Sequence, residues 1–135
     1  MSTVREQVQE EMRRAYEHDR EGREAEAVVH YEAAWRLGGP PPEDDRAGFL
    51  LGYGSTLRNV RRLDESLAVL DRAIAEYPDD QALRCFRALT LHSLGRHAEA
   101  LALMLEIAVA LRDASPQVAR YARAILAYRD ELVGS

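Results

Sequence analysis

Arg61-Arg62-Leu63-Asp64-Glu65-Ser66-Leu67-Ala68-Val69-Leu70 returns thirty-four residues later as Gly95-Arg96-His97-Ala98-Glu99-Ala100-Leu101-Ala102-Leu103-Met104. Each copy reads as a turn residue, an arginine, two residues, a glutamate and a small residue, then a run rich in helix formers. A third copy, Gly22-Arg23-Glu24-Ala25-Glu26-Ala27, lies thirty-nine residues ahead of the second. The five-residue excess falls in Gly38-Gly39-Pro40-Pro41-Pro42-Glu43, where an insertion costs little. A fixed period in this range marks a stack of supersecondary units, each too small to bury its apolar face alone.

Working outward from the repeat, stop and start signals divide the chain into seven helices, at about 2–20, 23–37, 43–60, 63–77, 80–94, 97–112 and 116–133. Gly22, Gly38 and Gly95 suit helix ends, Pro78-Asp79-Asp80 is a stop followed by an acidic start, and Ser115-Pro116 sets a capping side chain before a proline. Val118, Tyr121, Ala122 and Ile125 share one face of the last helix, the pattern of a polar-backed cap. Tyr31, Trp35, Phe49, Tyr53, Phe86 and Tyr121 recur at helical intervals and are expected in the core, whereas Tyr16 and Tyr128 are candidates to anchor a partner.

These residues resemble the tetratricopeptide repeat family. The resemblance rests on the thirty-four-residue period, the turns at Arg61 and Gly95, the small residues Ala27, Ser66 and Ala100, the second small position at Gly54 and Ala88, and Pro78 closing the second unit. Small residues recur there because two helices cross at close range. The resemblance implies an all-α fold, a right-handed α-solenoid of three helix pairs plus a C-terminal capping helix. One domain would span 1–135, with repeats at about 8–41, 47–80 and 81–114 and the cap at 116–133. The run Asp45-Arg46-Ala47-Gly48-Phe49-Leu50-Leu51-Gly52-Tyr53-Gly54-Ser55-Thr56-Leu57-Arg58-Asn59 is similar to a group of short bacterial tetratricopeptide proteins. That likeness implies an interaction module whose partner is a protein or peptide, with a homodimer as the alternative.

In this architecture the first helix of each repeat lines a concave groove. The expected contacts are Tyr16 and Arg20 on the first unit, Gly48, Leu51, Gly52, Ser55, Arg58 and Asn59 on the second, and Cys85, Leu89 and His92 on the third. Glycine inside a helix costs roughly 1 kcal/mol against alanine. Gly54 is explained by packing between helices, whereas Gly48 and Gly52, with Ser55, suggest a smooth face that another backbone can approach. Arg58, Arg61 and Arg62, joined by Arg84 and Arg87, form either a basic patch for an acidic peptide or a solvated face balanced by Asp64 and Glu65. The lysine, asparagine and arginine clamp by which some family members hold a chaperone's C-terminal carboxylate is missing: Met12, Tyr16, Gly52, Ala82 and Phe86 occupy those places.

Other classes find less support. A net charge of -5 argues against nucleic acid or an anionic membrane as partner, since both favour a basic field. All 18 basic residues are arginine, a mark of a GC-rich, bacterial genome. Cys85 is the single cysteine, and no apolar run approaches a signal peptide or a membrane span, so the expectation is a soluble cytoplasmic protein. The histidines His18, His30, His92 and His97 offer no metal-ligand spacing, and no phosphate loop or nucleophile–base pair is present. Neither a cofactor, a metal nor a catalytic residue is expected, and the chain reads as no enzyme.

Overall fold

In the computed structural model, which describes residues 1–134, the helices are α1 (Val4–Arg20), α2 (Glu24–Arg36), α3 (Arg46–Asn59), α4 (Leu63–Glu76), α5 (Gln81–Ser93), α6 (His97–Ala110) and α7 (Pro116–Leu132). No strand occurs among the described residues. Three turns of one design fold α1 on α2, α3 on α4 and α5 on α6. In each, the turn residue's N–H donates three residues back and the following arginine's N–H five back: Gly22 to Asp19 and Arg23 to His18, Arg61 to Arg58 and Arg62 to Leu57, Gly95 to His92 and Arg96 to Leu91. This closure needs a left-handed residue. Gly22 and Gly95 supply it at φ 75° and 79°, and Arg61 adopts it at φ 68° against its side chain's preference.

The repeated arginine and glutamate brace the next helix. Arg62 pairs with Glu65 and Arg96 with Glu99, one turn into α4 and α6. Small residues then let the paired helices cross closely. Ala27, Ser66 and Ala100 are all buried, and the Ser66 hydroxyl donates to the Gly54 carbonyl at 2.7 Å and meets Thr90 Oγ1 at 2.9 Å. A methyl on Gly54 would stand 2.7 Å from Leu70, which gives this glycine its packing reason.

Between the first two units the chain departs from the expected helix start at 43. Pro42–Asp44 form one 3-10 turn, and Asp45, left-handed at φ 56°, caps α3 by accepting from the Gly48 N–H at 2.9 Å. The left-handed backbone at Asp45 breaks the helical path between this turn and α3. The segment is tied down by Arg5 and Gln9 of α1, which bond to Asp44 at 2.8 and 3.1 Å. Arg46 completes the anchor: it pairs with Glu76 at 2.8 Å, donates to the carbonyls of Gly38 and Pro40, and lies 5.1 Å over the Trp35 ring.

At the far end α7 packs on α6 and turns Arg129 onto Glu106, which also holds Arg84 of α5. Ala102 and Val109 of α6 are buried, whereas their counterparts on α4, Ala68 and Ala75, are exposed. α7 therefore covers the outer back of α6. Val118, Ala122 and Ile125 are half-buried there, but Tyr121, expected in the core, is 54% exposed under the Arg120 guanidinium.

Candidate functional site

The residues singled out in the sequence fall into two places. The first runs across the free sides of α1 and α3. Tyr16, Asp19 and Arg20 line an open hollow of about 350 Å³ at the end of α1. Tyr16 packs edge-on against Tyr31 with centroids 6.0 Å apart, and burial, aided by the nearby Asp45 carboxylate, pushes its phenol above the ordinary value. Asp19 accepts from the Tyr31 hydroxyl at 3.0 Å and from the Thr56 hydroxyl at 3.3 Å, joining α1, α2 and α3 at one carboxylate. Burial first, and then the Asp19 charge, hold the Tyr31 phenol far above its usual range.

On α3 the geometry changes the reading of the glycines. A methyl on Gly52 would meet the Tyr31 hydroxyl at 2.7 Å, and one on Gly48 would meet the Asp45 carboxylate at 2.2 Å. Both are small because side chains of this same molecule already fill the space, so neither offers a bare face to another backbone. Leu51 is half-buried against the aliphatic cluster of Leu50, Leu70, Ala73 and Leu83. Asn59, expected beside Arg58 for recognition, donates instead to Glu24 of α2 at 2.8 Å. Ser55 remains half-buried with no bond to a neighbour.

The expected basic patch also divides. Arg62 is held by Glu32 and Glu65, Arg84 by Glu106 at 2.8 Å and Arg87 by Asp71 at 2.6 Å. Arg58 and Arg61 are left over, Arg61 exposed. Arg58 forms no ion pair, and its Nε is the one buried side-chain nitrogen or oxygen without a hydrogen-bond partner among the described residues. Such an atom costs about 1–3 kcal/mol when unmet. Arg20 also lacks a partner, but its side chain is exposed.

Cys85, Leu89 and His92 belong to the second place, a hollow of about 410 Å³ between α5 and α6 completed by His97, Leu101 and Met104. His92 and His97 lie five residues apart, which is no metal-ligand spacing along one helix. The turn at Gly95 instead folds them together, with Nδ1 atoms 2.8 Å apart. A five-residue spacing across a tight turn was the signal that could have shown this. Similarly His18 and His30 stack at 5.4 Å, with His30 on the Glu11 carboxylate at 2.7 Å. No group of three or more His, Cys, Asp or Glu side chains placed to hold a metal occurs among the described residues. Nor is any helix there long and apolar enough to cross a membrane.

A family model described as a tetratrico peptide repeat matches residues 9–132. No curated protein and no solved structure matches the chain.

Proposed function

The chain belongs to the tetratricopeptide repeat family, whose units serve in general as protein–protein interaction modules, and from that premise we propose that it holds an acid-bearing segment of a partner protein across α1 and α3. Arg58 carries this reading. In a chain where arginine after arginine is neutralised by a carboxylate, this guanidinium keeps a buried nitrogen unmet. The terminal nitrogens of the same guanidinium, which unlike Nε are not buried, can take a partner carboxylate in bidentate fashion and pair its charge, and charge-assisted bonds of this kind are about twice as strong as neutral ones. Ser55 adds a hydroxyl, Arg20 a second positive charge at the edge, Tyr16 an aromatic anchor and Leu51 an apolar contact.

Selection from a random peptide display library tests the reading. Peptides enriched on the native chain should carry Asp, Glu or a terminal carboxylate, and Arg58→Gln should lose them while its helical circular dichroism stays unchanged. Enrichment without any acidic preference, or equal capture by Arg58→Gln, would overturn it.

A further inference from the structure

Two pairs of neighbouring imidazoles occur in the chain, and they are arranged differently. His18 and His30 stack with planes 8° apart, and both Nδ1 atoms are engaged elsewhere: that of His18 accepts from Arg23 at 2.9 Å, and that of His30 meets Glu11 at 2.7 Å. His92 and His97 instead converge, with rings tilted by 56° and Nδ1 atoms 2.8 Å apart. Both of these residues are exposed, and neither has another polar partner among the described residues. The turn at Gly95 and Arg96 makes this arrangement by folding the start of α6 against the end of α5. Arg58 and Leu63, or Asp19 and Glu24, stand at the matching places around the other two turns, so the pair belongs to the third unit alone.

We propose that His92 and His97 chelate a divalent transition-metal ion through their Nδ1 atoms, with copper(II) as the best fit. Two metal–nitrogen bonds of about 2.0 Å that meet at a right angle set their nitrogens about 2.8 Å apart, whereas the tetrahedral angle of zinc sets them about 3.3 Å apart. The observed spacing is that of the right angle. Right-angled nitrogen ligation is the habit of copper(II) and nickel(II), and copper(II) binds the more tightly of the two. Protons balance without loss. In the metal-free pair one Nδ1–H donates to the other Nδ1; on binding, that proton moves to the free Nε2 of its own ring, and a small rotation of the exposed rings aims both lone pairs at the ion. Cys85 and Met104 line the same hollow, but each lies seven residues from the histidine on its own helix, about 10 Å along the axis, too far to share the ion. Water therefore completes the coordination. Arg96, next to His97, is already neutralised by Glu99, and a net charge of -5 draws cations to the protein.

This site is independent of partner capture at Arg58, which uses other residues. Pulsed electron paramagnetic resonance on the full chain tests it, with one equivalent of copper(II) and an excess of citrate, whose oxygen donors hold loosely bound copper without adding nitrogen. The native protein should take the copper from citrate and show the echo modulation of two bound imidazoles. His92→Gln and His97→Gln, both at exposed positions, should each lose the two-imidazole pattern while their helical circular dichroism stays unchanged. His18→Gln and Cys85→Ser should keep it. Copper that stays with citrate in the presence of the native chain overturns the proposal. So does a two-imidazole pattern that survives in His97→Gln, or one that is lost in His18→Gln or Cys85→Ser.

Discussion

The junction between the first and second helix pairs and the junction between the second and third are built by different means. The second follows the strict thirty-four-residue period and has an aliphatic centre: Leu50, Leu70, Ala73 and Leu83 pack together, with Tyr77 and Phe86 at the edge and Ser66 and Thr90 sharing one hydroxyl bond. The first carries the five extra residues, and aromatic rings fill it. Tyr31 stacks on Tyr53 at 5.7 Å and lies 5.6 Å from Phe49, which lies 6.3 Å from Trp35. It also admits a carboxylate, Asp19, met by two hydroxyls. Here the junction with the regular period is centred on aliphatic side chains, whereas the one that carries the insertion is closed by rings and polar bonds. The seam is also where Tyr16 and Arg20 meet the surface, so the irregular junction carries part of the candidate site.

Substitutions can break this contrast, and the largest effect is expected where a buried ring is removed. Phe49→Ala in the aromatic seam should cost about 4 kcal/mol in urea unfolding, and Leu83→Ala in the aliphatic junction about 3 kcal/mol, each leaving a cavity. Gly54→Ala is next. It drives a methyl into Leu70 and should lose about 2 kcal/mol through overpacking. Tyr31→Phe removes the donor to Asp19 while keeping the ring, for a loss of about 1 kcal/mol. Arg61→Gly should act in the opposite direction, raising stability by up to about 1 kcal/mol by relieving a left-handed arginine in a turn where Gly22 and Gly95 stand at the equivalent places. A Tyr31→Phe loss as large as that of Phe49→Ala would mean that polar bonds, and not rings, hold the seam.

Much of the fold could be read along the chain because the signals that set it are local. The three turns, the small residues at helix crossings and the Ser115-Pro116 start all act within a few residues of themselves. The Pro-rich insertion was legible as an insertion but not in its form, since left-handed Asp45 is fixed by the Gly48 N–H, and its neighbour Asp44 by Arg5 and Gln9 from a distant helix. The candidate site was legible only in outline. Gly52 looked like an open face until Tyr31, twenty-one residues earlier, proved to fill it, and Asn59 looked free until Glu24 proved to bind it. Arg58 emerged by the reverse route, as the arginine with a buried nitrogen unmet once ion pairs had claimed Arg62, Arg84 and Arg87. The position of α7 depends on which face of α6 accepts its polar residues, a choice that periodicity does not encode.

The most direct test of the binding proposal is a double-mutant cycle on a selected acidic peptide, following its affinity by fluorescence anisotropy. The four combinations are the native chain and Arg58→Gln, each with the peptide's Glu and with its Gln replacement. A coupling of about 1.5–3 kcal/mol between the two charges, a factor of roughly ten to a hundred in affinity, is the expected result. Coupling indistinguishable from zero would show that Arg58 does not receive the partner's carboxylate and would contradict the proposed mode of binding.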